Sequence, residues 1–247
     1  MAHITSARIR KAESLCRRQA ARFRREHGDM TRAQVKKNPE LDAATKFRES
    51  LTKDLLKDLA ESYPDDGFSH DGETLKASAE DGFMWHINGL GGFDNFLRAK
   101  EDFYQLFVLT RDGKPVECFG YMPLSDEISL AVRNNGATGY GARLRVSGRK
   151  NLDGSSIHLN TSSAASAVGK IAQAGADVRV TGSYLTDILD LCAGRADGFF
   201  AAELPHTEAL FAQLMVTESG GSTTSDAGKT FIAGNNDCFY HLKKLTG

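Results

Sequence analysis

The chain has no apolar run approaching the roughly 18 residues that a membrane-spanning helix needs, and its N-terminus lacks the apolar core of a secretory signal. A soluble, cytoplasmic protein with no membrane partner is the expectation. Charge of one sign is also lacking. With 31 Lys and Arg against 32 Asp and Glu, the formal net charge is -1, so no global field draws the molecule to nucleic acid. Cysteine is scarce: Cys16, Cys118, Cys192 and Cys238 lie far apart without a CxxC pair, and the histidines are not clustered. That excludes a disulfide framework and a thiolate zinc site, and predicts reduced, partly buried thiols.

What is present is enough for a substantial core, with 247 residues of which 40% are hydrophobic. One domain over residues 1–247 is expected, with an N-terminal half to about residue 140 and an alternating half from 141. Helical spacing of Ile9, Ala12, Leu15, Cys16, Ala20 and Phe23 predicts a helix from Ile4 to His27, stopped at Gly28. Its other face carries Arg8, Arg10, Lys11, Arg17, Arg18, Arg22, Arg24 and Arg25, either an RNA or acidic-partner surface or a solvated face balanced by acids elsewhere. The near-neutral chain favours the second reading. Leu51, Leu55, Leu56 and Leu59 stripe a second helix over Leu41 to Ser62, ended by Pro64 and Gly67.

From Trp85 to Val146 short strands at Phe103 to Leu109, Val116 to Tyr121, Ile128 to Val132 and Leu144 to Val146 are separated by turn signals, which predicts an antiparallel meander. Beyond it, strands at Ile157 to Asn160, Val178 to Thr181, Gly198 to Ala201 and near Thr230 to Ala233 alternate with helices at Ser163 to Ala174, Ser183 to Cys192 and Glu208 to Ser219. Such alternation places helices on sheet faces.

Residues 85 to 96 read Trp-His-Ile-Asn-Gly-Leu-Gly-Gly-Phe-Asp-Asn-Phe, a strand running into a glycine-rich ligand loop. Dinucleotide binding is poorly supported, because the third glycine of GxGxxG is Asp94 and the following segments read as hairpins. The stretch resembles instead the WxxDPxDGTxNF loop of the inositol monophosphatase family, with Trp85, Gly92, Asn95 and Phe96 in register. Further blocks follow in the family's order, among them Asp112 to Val116, Val132 to Thr138, Ala193 to Gly198 and Glu218 to Gly221. The resemblance implies a layered αβαβα sandwich of the α/β class, a homodimer, and Mg²⁺-dependent hydrolysis of small phosphomonoesters.

Magnesium requires hard oxygen ligands, chiefly carboxylates, and the implied ligand positions are altered here. The first loop aspartate falls at Asn88 and the second at Gly91, while the motif's proline and threonine become Gly89 and Phe93. The family's upstream glutamate falls near Asp71, with Glu73 as a substitute. The TxxD helix start becomes Thr45 and Arg48, and the late tryptophan-aspartate pair becomes Thr207 and Glu208. Asp94 is a further acid close by. Metal candidates are therefore Asp71, Glu73, Asn88, Asp94 and Glu208. Backbone donors at Gly91, Gly92 and Phe93 would face a phosphate if Phe93 opens a helix. His70, His86 and His206 beside these positions offer Zn²⁺ as an alternative to Mg²⁺, and Mn²⁺ is another. The expectation is a phosphatase fold whose metal centre is impaired, leaving a binding or regulatory role toward a small phosphorylated ligand. Competing readings are a divergent metal-dependent phosphomonoesterase on an inositol, sugar or nucleotide phosphate, and an interaction protein working through its basic helix or a dimer interface.

Overall fold

The computed structural model describes residues 5–35, 41–79, 82–160, 165–224 and 230–246. Two helices come first, α1 (Ala7–Val35) and α2 (Leu41–Ser62). The expected helix start at Ile4 lies outside the described residues. Gly28 does not stop α1, because Met30 and Ala33 continue its buried stripe for two more turns. The arginines of α1 are largely paired: Arg8 with Asp66 at 2.7 Å, Arg17 with Asp126 at 2.5 Å, Arg18 with Asp58 and Arg22 with Asp54 at 2.7 Å, and Arg25 with Glu26 at 2.9 Å. Those acids are the balance that the near-neutral composition implied.

An eight-stranded sheet follows in the order β2-β1-β3-β4-β5-β6-β7-β8. Its strands are β1 (Gly67–His70), β2 (Glu73–Lys76), β3 (Met84–Gly91), β4 (Tyr104–Arg111), β5 (Lys114–Met122), β6 (Glu127–Val132), β7 (Gly136–Gly139) and β8 (Ala142–Arg143), with the short helix α3 (Phe93–Leu97) between β3 and β4. The meander from β3 to β8 is antiparallel, as its turn residues demand. The β1–β2 hairpin was not expected, and it makes the sheet mixed, because β1 runs parallel to β3. Its turn is Asp71-Gly72, both at positive φ (49° and 83°), the backbone of a two-residue primed hairpin turn. The strand expected at Leu144 to Val146 is displaced to Ala142–Arg143. Leu144 N still bonds Ala137 O, but Val146 N turns away to Ser219 O at 3.1 Å.

The second sheet, β10-β9-β11-β13-β12, comprises β9 (Ser156–Asn160), β10 (Asp177–Arg179), β11 (Gly198–Ala201), β12 (Ser222–Thr223) and β13 (Phe231–Gly234). Helices α4 (Ala165–Gln173), α5 (Tyr184–Cys192), α6 (His206–Glu218) and α7 (Asn236–Thr246) complete the chain. The expected start of α4 at Ser163 lies outside the described residues.

Side-chain alternation builds the layers. On β4, Phe107 and Leu109 join Leu15, Leu55 and Leu59 beneath α1 and α2, while Tyr104, Leu106 and Val108 point the other way onto α5 and α6. On β11, Phe199 and Ala201 meet that same middle layer, whereas Phe200 packs outward with Ile171 and Leu242 of α4 and α7. The order is helices, sheet, helices, sheet, helices, which is the expected αβαβα sandwich. Helix α6 lies at its centre and is buried on nearly every side, from Thr207 to Met215 and Val216, as a helix covered by two sheets must be. The four cysteines are buried and free.

Candidate functional site

The end of β3 and the start of α6 meet at a cavity of about 440 Å³. The ladder between β3 and β4 breaks register after Asn88 and resumes with Gly91 opposite Tyr104. Gly92 then takes a left-handed conformation (φ 68°) and α3 begins at Phe93. The expected helix start at Phe93 is therefore present, as one short turn and a half.

At the cavity floor a carboxyl group is met by neutral donors. Asn88 Nδ2 donates to Glu208 Oε1 at 2.7 Å, and Tyr104 OH donates to the same oxygen at 3.2 Å. Asn88 Oδ1 accepts from Leu90 N at 3.1 Å, which fixes the amide with its nitrogen toward Glu208. Glu208 is 4% exposed. Burial lifts its titration above the usual carboxylate range, against the hydrogen bonds from Asn88 and Tyr104. Burial and the neighbouring Glu208 carboxyl likewise push the Tyr104 hydroxyl well up, so it stays a donor.

Gly91 has no side chain, and Tyr104 uses the space. A β-carbon built at Gly91 would lie 2.0 Å from Tyr104 Cε2, far inside van der Waals contact. Glycine opposite an aromatic residue is a cross-strand pair in which the ring covers the bare backbone. An acid at 91 and a tyrosine at 104 exclude one another.

The remaining predicted residues are distributed as follows. Asp71, Asn88, Gly91, Gly92, Phe93, Asp94 and Glu208 all line the cavity, together with His70. Glu73 and Thr45 do not. Glu73 is exposed on β2, a hairpin strand away. Asp71 sits at the turn tip with its side chain 74% exposed, 3.4 Å from His70 Nε2. His70 Nδ1 is occupied by Ile87 O at 3.0 Å. His86 and His206, outside the cavity lining, meet with ring centroids 5.1 Å apart and planes tilted by 56°, and His86 Nε2 pairs with Thr110 Oγ1 at 3.1 Å. Burial and His206 bring His86 down to about 4, so this ring is neutral at neutral pH. Among the described residues, no group of three or more His, Cys, Asp or Glu side chains is placed to hold a metal ion.

Arg48, the residue found at the TxxD position, lies over the Phe93 ring at 4.5 Å and puts a positive charge at the cavity, where that pattern would carry an acid. Sequence reasoning missed the rest of the wall: Tyr104 on β4 and, from the second half, Asn160, Ser183, Tyr184 and Asp187. Asp187 is held between His158 Nδ1 at 2.7 Å and Thr181 Oγ1 at 2.8 Å, and burial raises its titration against the His158 contact. Asn95 ties the two halves together, donating to Asp102 O at 3.1 Å and Thr181 O at 3.3 Å. The cross-strand pairing of Gly91 with Tyr104 was the one available signal for Tyr104. It becomes visible only once the register is known.

A β-strand loop thus opens on the N-terminus of a central helix inside an αβαβα sandwich. The chain belongs to the inositol monophosphatase family, whose model matches residues 4–246. Among curated relatives, it is 31% identical over 189 residues to "Nus factor SuhB" of Xylella fastidiosa, covering 73% of this chain and 68% of that one. It is 28% identical over 239 residues to "Inositol-1-monophosphatase" of Caulobacter vibrioides, covering 89% and 93%. The crystal structure of the extragenic suppressor protein suhB from Bartonella henselae superposes with a TM-score of 0.83 at 24% identity, covering 97% of this chain and 99% of that one. That likeness establishes the shared fold.

Proposed function

We propose that this chain is a small-molecule-binding protein on a phosphatase fold, in which neutral hydrogen-bond donors take the place of the metal centre and phosphomonoester hydrolysis is lost or severely impaired. The observation that carries this reading is Glu208 Oε1 shared by Asn88 Nδ2 and Tyr104 OH, with the Tyr104 ring filling the space beside Gly91. Hydrolysis in the family's manner requires cations to neutralise the phosphate and activate a water. A pair of divalent ions needs several converging carboxylates to offset its own repulsion. The residues present do not fit that requirement. Asn88 turns a nitrogen toward Glu208, Asp187 is taken up by His158 and Thr181, Gly91 contributes no ligand, Glu73 does not line the cavity, and Asp71 and Asp94 are exposed. Arg48 adds a charge that repels a cation.

The histidines supply no substitute. His70 and His86 are each committed to another partner through one ring nitrogen, so the Zn²⁺ arrangement considered from the sequence lacks converging ligands. The competing reading, a divergent phosphomonoesterase, is tested directly. Phosphate release is measured from inositol, sugar and nucleotide monophosphates with Mg²⁺, Mn²⁺ or Zn²⁺. The expected result is no turnover above the metal-free blank, and metal-dependent turnover abolished in Glu208→Gln would establish the enzyme instead.

A further inference from the structure

Resting on the metal-free reading above, we propose that the cavity selects a polyhydroxylated ring bearing an ammonium group, of the amino sugar or aminocyclitol class, over the same ring bearing a phosphate. The argument is one of charge inside a formed cavity. Its acidic and basic lining comprises one guanidinium, Arg48, four carboxyl groups, Asp71, Asp94, Asp187 and Glu208, and the His70 imidazole, beside the Tyr104 and Tyr184 hydroxyls, which burial keeps protonated. The guanidinium is engaged on the Phe93 ring. Asp94, beside that ring, is exposed and has no ion-pair partner among the described residues.

A phosphomonoester carries about -1.5 to -2 charges at neutral pH. In a family site, bound cations offset the acids before such an anion arrives. Here the acids remain and outnumber the base, so every carboxylate that is ionised opposes the phosphate: Asp71 and Asp94 from the exposed mouth, where salt screens them, and Glu208 from the buried floor, where it does not, while Asp187 is partly offset by its His158 partner. An ammonium group reverses the sign of each of these interactions. The remaining wall suits a polyol. Asn160, which donates to the Tyr184 hydroxyl, lies on the second-sheet side, while Leu90 and the half-exposed Val180 offer apolar surface to ring carbons. A volume of about 440 Å³ accommodates one substituted six-membered ring.

The test is calorimetric or ligand-observed NMR titration of the full chain with glucosamine, glucose and glucose 6-phosphate, in EDTA and then in Mg²⁺. The expected order is glucosamine, then glucose, then glucose 6-phosphate, with the amine at least about tenfold tighter than the phosphate. Added salt should narrow that gap, and so should Asp94→Asn, a surface change that leaves the core untouched. Equal or tighter metal-free binding of glucose 6-phosphate would overturn the charge argument while leaving metal-free binding intact. Silence from all three probes at about 10 mM would overturn the ligand class. Glucose 6-phosphate binding and hydrolysis only in Mg²⁺ would instead bring down the reading on which the inference rests.

Discussion

Replacing Glu208 by glutamine should stabilise the protein at neutral pH. Glu208 is 4% exposed, and both donors that reach it, Asn88 Nδ2 at 2.7 Å and Tyr104 OH at 3.2 Å, converge on Oε1. Glutamine keeps that acceptor oxygen, so both hydrogen bonds survive while the cost of burying a charge disappears. The gain is on the order of 1–2 kcal/mol at pH 7, or about 2–8 °C in Tm for a chain of this size. The sign in pH is fixed by the direction of the shift. Burial raises the folded carboxyl above its ordinary value of 4.5, so its favourable contribution is complete below that value and is lost as pH rises through the folded titration. The advantage of Glu208→Gln should therefore be full at pH 7 to 8 and vanish toward pH 4. The assay is thermal or urea unfolding of both proteins across that range, with and without Mg²⁺. Loss of stability in the variant at pH 7, or a Mg²⁺-dependent rise in Tm seen only in the parent, would refute the reasoning, because either would mean that the carboxylate serves a cation.

Other perturbations probe the same packing. Gly91→Ala pushes a methyl group into the Tyr104 ring and should cost about 2–4 kcal/mol; in a double-mutant cycle with Tyr104→Ala, a favourable coupling of about 1–3 kcal/mol is expected, and strict additivity would contradict the proposed exclusion. His86 is depressed to about 4 from 6.5, so its contribution is present above pH 6.5 and lost as pH falls toward 4. Urea unfolding at pH 7.5 and pH 5 should differ by at most about 2 kcal/mol from this source, and His86→Gln should flatten that difference. Asn88→Asp, Gly91→Asp and Tyr104→Ala combined should gain Mn²⁺ binding that no single change confers, as read by the loss of free-ion EPR signal.

Much of this architecture was legible because its signals are periodic. The heptad-like leucines of α2 and the alternation of β4 and β11 declare buried faces directly, and the ordered family blocks set the layer sequence. The cavity was half legible. Asn88, Gly91, Phe93, Asp94 and Glu208 could be placed from one motif and one count along the chain, and all line the cavity. Tyr104, Asn160, Tyr184 and Asp187 could not, because they reach the cavity through strand register and the packing of the second sheet, which no local pattern encodes. Gly28 misled for a related reason: a glycine inside a helix costs only about 1 kcal/mol, and the burial of Met30 and Ala33 outweighs it. The β1–β2 hairpin was not legible, since Phe68 is the only large apolar side chain in β1, too little to announce a strand.

The most direct test of the account is a Mn²⁺ titration of the unaltered protein at pH 7.5, followed by EPR. If Asn88 and Tyr104 have taken over the bonds that ions would make to Glu208, no site should fill below about 1 mM. Two ions per chain bound at tens of micromolar, with spectra showing them coupled side by side, would contradict it.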